Sequence, residues 1–145
     1  YSIMRLGLYY NDSLFSVMAF HHSQGRKKIL SNEWNLSRFC NKLDTSVIGG
    51  ASKLLSYFMK THIPKRIISY ADKTWSQGDL YYQLGFSQIL ETKEDYKYVI
   101  GNKRVHKSRF RKSKLGTDLS ESNFMKSKYI PKIWDCGKMK FEINI

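Results

Sequence analysis

The sequence predicts one mixed α/β domain, a sheet with helices packed against it, carrying a basic C-terminal extension. Three observations lead there. Apolar residues alternate with period two through much of residues 5–40, then recur at helical spacing over 48–62, and both patterns return before residue 100. With 145 residues, 41% of them hydrophobic and 14% aromatic, the chain can bury a core, which excludes a disordered protein. The charge is strongly positive, with 25 Lys and Arg against 12 Asp and Glu, a net of +13.

Residues 5–10 and 14–20 alternate around Asn11, Asp12 and Ser13, whose side chains tolerate turn geometry, and predict a β-hairpin. Residues 21–32 are polar and basic and read as a loop. Residues 33–40 (EWNLSRFC) alternate again as a third strand. Asp44, Thr45 and Ser46 offer a cap to a helix starting near Ile48 and running to about His62. Ile48, Ala51, Leu54, Leu55, Phe58 and Met59 make its apolar face, and Pro64 stops it. Residues 66–71 (RIISYA) predict a buried strand. A second helix over 77–84 ends with Gly85 at C′. Residues 86–90 and 96–100 predict a closing hairpin around Glu94 and Asp95. Beyond 101 a short helix over 118–126, capped by Asp118 or Ser120, precedes two short strands around Gly137. The expected division is a core over 1–100 and a basic extension over 101–145 on the same domain.

The charge is unevenly spread. Residues 1–100 hold 13 basic and 8 acidic side chains, whereas residues 101–145 hold 12 and 4. Such a field suits a phosphate backbone, and double-stranded DNA is the expected partner; a solubility role is the alternative. Lys103, Arg104, Lys107, Arg109, Arg111, Lys112 and Lys114 share one stretch with His106 and Phe110. The cations are candidates for phosphate contact, and Phe110 either stacks on a base or anchors the segment. Arg26, Lys27 and Lys28 beside His21 and His22 are a candidate second contact; as a metal pair the two histidines have no third ligand nearby. Cys40 and Cys136 lie far apart with no zinc-like spacing and read as free thiols of a reducing cytoplasm, Cys40 packed between Phe39 and Leu43. No run is long enough to span a membrane and no signal-peptide pattern opens the chain. Since Tyr1 is not an initiator residue, a fragment of a longer protein is expected, from a bacterial or phage-infected cytoplasm.

Two segments carry candidate chemistry. Ser46, Val47, Ile48, Gly49, Gly50 and Ala51 join a strand to a helix; glycines there let backbone N–H groups approach an anion such as pyrophosphate, or simply make a tight turn. Residues 80–86 (LYYQLGF) resemble the LYxxLGF signature of the GNAT acyltransferase fold. That resemblance implies a mixed, mostly antiparallel sheet flanked by helices. It also implies acetyl-CoA or a related donor bound at 46–51, with Tyr81 protonating the departing thiolate; Tyr81 as a packed aromatic is the alternative. The family's loop follows Q/R-x-x-G-x-G/A, and Ser46 stands here in the Gln/Arg place.

Over nearly the whole chain, RLGLYYND, LSRFCNKLDTSVIGGASKLLSYF, ISYADKTWSQGDLYYQLGF and IWDCGKMKF resemble the domain that follows Vsr-like (EDxHD) nuclease domains in phage homing endonucleases. The SYAD…G…Y part is also similar to Mom-type GNAT relatives that modify adenine in DNA, which implies Asp72 and Tyr81 in one pocket; Asp72 as a turn cap is the alternative. No carboxylate pair beside a histidine is present to hold magnesium, so the cutting residues of such a protein would lie upstream. The leading expectation is therefore the DNA-binding domain of a phage or mobile-element homing endonuclease on a GNAT-like scaffold. A Mom-like transferase acting on a DNA base and a conventional acyl-CoA N-acyltransferase are its rivals.

Overall fold

Asn11 and Asp12 both adopt positive φ, 45° and 57°, the two-residue turn that matches strand twist, and they join β1 (Ile3–Tyr10) to β2 (Ser13–His22). The structure, a computed structural model, describes residues 3–22 and 32–145. The expected loop over 21–32 is therefore seen only at its ends, where His21 and His22 complete β2; residues 23–31 lie outside the described part. After them come β3 (Glu33–Asn41), α1 (Gly50–His62), β4 (Arg66–Asp72), α2 (Asp79–Gln83) and β5 (Ser87–Glu91). Then follow β6 (Tyr96–Ile100), β7 (Lys103–His106), a 3-10 turn (Lys107–Phe110), α3 (Lys112–Leu115), α4 (Glu121–Ser127), β8 (Lys132–Trp134) and β9 (Lys138–Asn144).

Six strands form one sheet in the order β1-β2-β3-β4-β9-β5, antiparallel except for the β3–β4 pair. Its inner face meets α1. Met18 and Phe20 of β2, Trp34 and Leu36 of β3 and Ile67 of β4 pack against Leu54, Leu55 and Phe58, with the Phe20 and Phe58 rings stacked 3.6 Å apart. Burying a side chain such as Phe58 contributes roughly 1.5–3 kcal/mol. The other three strands, β7-β6-β8, make a small antiparallel sheet of their own.

Several expectations need correction. Strands 87–91 and 96–100 form no hairpin: β5 pairs with β9, and β6 with β7 and β8. The strands around Gly137 likewise belong to different sheets, because β9 inserts between β4 and β5 at the heart of the core. A division at residue 100 therefore cuts the small sheet between β6 and β7 and strips the core of β9. The basic region is an insertion between two core strands, tethered at both ends. Helix α1 starts at Gly50, since Gly49 is left-handed at φ 70°; Asp44 is also left-handed at 57°, and Thr45 Oγ1 donates to the Lys42 carbonyl in a local turn. Ile48 is consequently 100% exposed rather than part of the apolar face. Both cysteines are exposed; Cys40 pairs with Val17 and Leu43 projects into solvent, so no packing encloses the thiol. Pro64 after α1, Gly85 after α2 and Ser120 as the cap of α4, accepting from the Asn123 amide, stand where the sequence put them.

Candidate functional site

The parallel pair β3–β4 holds for three residues only, Glu33 with Arg66, Trp34 with Ile67 and Asn35 with Ile68. Beyond that the strands part. The β2–β3 register slips by one between Ala19 and Phe20, leaving Ser37 as an extra residue whose hydroxyl donates to the Ala19 carbonyl. A bulge of this kind bends its strand, here away from β4. At the parting point a side chain replaces the backbone ladder: the buried Ser69 hydroxyl of β4 donates to the Leu36 carbonyl at 2.7 Å.

Ser69 also shares a 2.9 Å hydrogen bond with the Tyr81 hydroxyl, which lies 3.4 Å from the Tyr70 carbonyl. The Tyr81 ring stacks on Phe141 at 4.7 Å and meets Phe86 edge-on. Tyr81 is thus anchored by its ring and aimed by its hydroxyl at the opening between the strands. Helix α2 gets close enough because Gly78, at φ 88°, leaves room for Phe141; a Cβ there would lie 2.5 Å from its ring.

The glycine loop stands at the far side of this opening. Ser46, Val47, Ile48, Gly49, Gly50 and Ala51 line a groove of about 330 Å³ together with β3 (Phe39, Asn41) and α2 (Leu80, Gln83). On the hairpin side the same loop and Lys53 border an open hollow of about 510 Å³ with Tyr9, Tyr10 and Phe15. Gly50 is closely packed: a Cβ there would sit 3.0 Å from a Val47 methyl, tighter than ordinary contact. The first turn of α1 has no acidic residue and no side-chain cap, which leaves its positive end open; the Gly50 amide is taken by the Val47 carbonyl at 3.0 Å, and the next amides are those of Ala51 and Ser52.

Asp72 lies elsewhere. Side chains alternate along β4, so Ile67, Ser69 and Ala71 face the core while Ile68, Tyr70 and Asp72 face away. Asp72 and Tyr81 are therefore on opposite faces of the strand. The Asp72 carboxylate accepts from the Thr74 amide at 2.9 Å, and this bond, helped by Lys138 and Lys97, holds it below the usual carboxylate range. Its structural work is capping the turn after β4.

The basic stretch divides by its neighbours. Lys107 is committed to an ion pair with Asp95 and lies 4.8 Å over the Tyr96 ring. Phe110 packs edge-on against the fully buried Tyr98, an anchor within the small sheet. Lys103, Arg104, Arg109, Arg111, Lys112 and Lys114 are exposed. Arg26, Lys27 and Lys28 lie outside the described residues. His22 is no loop residue: its ring stacks on Trp34 at 3.8 Å. The sequence reading passed over Ser69, although a serine at an inward position of an otherwise apolar strand is itself a signal. It also passed over Glu121, which accepts from the hydroxyls of Tyr98 (2.6 Å) and Tyr96 (3.0 Å) and ties α4 to the small sheet.

No protein family matches the chain by sequence, and no curated protein does. Solved structures match by shape. A candidate GNAT-family acetyltransferase from Desulfovibrio desulfuricans superposes with a TM-score of 0.60 at 8% identity, over 98% of this chain and 68% of its own. The PaiA N-acetyltransferase of Thermoplasma acidophilum, in complex with coenzyme A, gives 0.53 at 17% over 99% and 61%. A GNAT-family acetyltransferase from Elizabethkingia anophelis with acetyl-CoA bound gives 0.53 at 13% over 94% and 72%. The chain thus spans about two thirds of the length of the structures it matches. Among the described residues no helix is long and apolar enough to cross a membrane. At these identities the likeness speaks for architecture, and the architecture is the GNAT fold.

Proposed function

We propose that the chain is the core of an acyl-CoA-dependent N-acyltransferase. One observation carries this reading: β3 and β4 part between a left-handed glycine loop and a tyrosine hydroxyl fixed at the opening. The residues fit an acyl-CoA. The close-packed Gly50, the amides of Ala51 and Ser52 that follow it and Lys53 suit a pyrophosphate, and the groove from Gly50 to Leu80 leads toward the gap. When bound, the cofactor supplies an activated thioester. The chain's own residues orient it and keep a proton at Tyr81 Oη, with Ser69 as the positioning residue. Ser46 in place of Gln or Arg removes one side-chain phosphate ligand and leaves that role to the backbone and Lys53.

Calorimetric titration with coenzyme A tests the reading. Saturable binding is expected, weakened about tenfold or more in Gly50→Val and unchanged in Tyr81→Phe. A folded wild-type protein that takes up no coenzyme A at millimolar concentration overturns it.

The exposed cations of residues 103–114 favour a second reading, contact with duplex DNA. Its finer form, the DNA-binding domain of a phage or mobile-element homing endonuclease with the nuclease elsewhere in the polypeptide, is supported by charge and motif resemblance alone. Replacing Arg109, Arg111 and Lys112 with Ser should flatten the slope of log K against log salt by about 2–3. The Mom-like alternative needs Asp72 and Tyr81 in one pocket, and their opposite faces speak against it.

A further inference from the structure

The small sheet has two unlike faces. Tyr96 and Tyr98 of β6 turn toward Phe110, Met125 and Glu121 and are packed. Register places Lys97 opposite His106 and Val99 opposite Arg104, so Lys97, Arg104 and His106 share the other face. That face fronts the end of the core sheet across a cleft of about 520 Å³, closed on the core side by Lys138 of β9 and by Trp75 from the turn after β4. Trp134 stands at its rim, opposite Tyr96 in the register and leaning on that ring at 4.9 Å, so only part of its indole is open. Trp75 is 86% exposed and Trp134 60%, unusual for the largest apolar side chain.

Three carboxylates also line the cleft, but each is occupied. Asp72 accepts from the Thr74 amide, Asp135 from the amides of Asp95 and Gly137, and Asp95 from the Tyr96 amide and Lys107. The cations are not: among the described residues Lys97, Arg104 and Lys138 form no ion pair within 4 Å. The cleft therefore sets three cations without an ion pair against three carboxylates, one of them answered by Lys107, beside the exposed indole of Trp75, on a chain of net charge +13. Indoles stack on planar rings and the cations hold the phosphates between them. A duplex hides its base faces within its own stack, so only an unpaired strand offers both groups together.

We propose that this cleft binds single-stranded nucleic acid, an unpaired base stacking on Trp75 or Trp134 while Lys97, Arg104 and Lys138 contact the flanking phosphates. The inference rests on the nucleic-acid reading above and is independent of the acyl-CoA groove, which lies on the other side of β4.

The chain has three tryptophans and the third, Trp34, is buried, so tryptophan emission reports on this cleft. The probes are a ten-residue oligothymidine, a duplex of equal length and thymidine monophosphate. Oligothymidine should quench emission at concentrations at least tenfold below the other two. Trp75→Ala with Trp134→Ala, read by anisotropy of labelled oligothymidine, should weaken binding at least about tenfold. Lys97→Ser with Arg104→Ser should keep the quench at low salt and flatten the salt slope by about 1–2. Duplex bound as tightly without quenching, with the tryptophan variant unchanged, overturns the cleft but leaves the duplex reading standing. Monophosphate binding as tightly as the strand overturns the strand as occupant. No binding of any probe overturns both readings.

Discussion

The two sheets of this protein are held together by different physics. The six-stranded sheet is a core in the ordinary sense, with Phe20, Trp34, Phe58 and Phe141 buried between strands and helices and no charged partner among them. The three-stranded sheet buries little beyond Tyr98 and Met125, and is tied instead by polar anchors. Glu121 accepts hydrogen bonds from two phenol hydroxyls, Lys107 pairs with Asp95, and Lys132 lies 4.2 Å over the Tyr96 ring while donating to Ser122. One sheet carries the groove proposed for an acyl donor; the other belongs to the insertion that carries the exposed cations of residues 103–114. A basic tail would wander, but a basic sheet inserted between β5 and β9 presents its charge at a fixed place relative to the core.

The comparison can be broken by substitution. Phe58→Ala removes the ring at the centre of the core and should lower unfolding free energy by about 3–5 kcal/mol, measured by urea denaturation. A loss confined to the small sheet would contradict the assignment of Phe58 to the common core. Tyr98→Phe leaves the packing but removes a hydrogen bond to a charged acceptor, which should cost about 1.5–3 kcal/mol. Hydrogen exchange should show the loss in β6, β7 and β8 and spare β1 to β4. Ser120→Ala deletes the cap of α4 and should cost about 1 kcal/mol, again only within the insertion.

Acid should separate the sheets in the same sense. The Lys107 ammonium, then the Tyr96 amide, hold the Asp95 carboxyl below the usual carboxylate range. A depressed folded-state pKa stabilises above the ordinary value and loses that contribution as pH falls through the lower one. Asp72 and Glu91 lose the same kind of contribution in the core sheet, where apolar packing remains, so below about pH 4 the small sheet should loosen first. Near-ultraviolet dichroism and amide exchange read this directly, and simultaneous loss of both sheets would contradict it.

Local chemistry was legible in the sequence and long-range pairing was not. Asn11 and Asp12, Pro64, Gly85 and Ser120 act through backbone preferences that need no neighbour, and each ends or starts an element where expected. The β5–β9 pairing joins residues about fifty apart, and nothing in the alternation of residues 87–91 states which strand they meet. Period two says that a residue is in a strand, not which sheet owns it. The glycine loop was readable because glycine adopts Gly49's φ of 70° without strain and fits Gly50's closeness to Val47. Ser69 is marked as a serine at an inward position, but its role was not readable, because its partner Leu36 lies beside a bulge at Ser37 in another strand. The basic stretch was visible as charge, yet its division into the anchored Lys107 and Phe110 and the exposed cations comes from packing alone.

In the proposed reading the parted strands and the glycine loop, rather than the basic insertion, receive an acyl-CoA. Amide chemical-shift mapping with acetyl-CoA tests it most directly, because a polyanion can also adhere to a surface of net charge +13. Saturable shifts are expected at Gly49, Gly50, Ala51 and Ser52 and near Ser69 and Tyr81, persisting at raised salt. Shifts confined to residues 103–114 and lost with salt would contradict it.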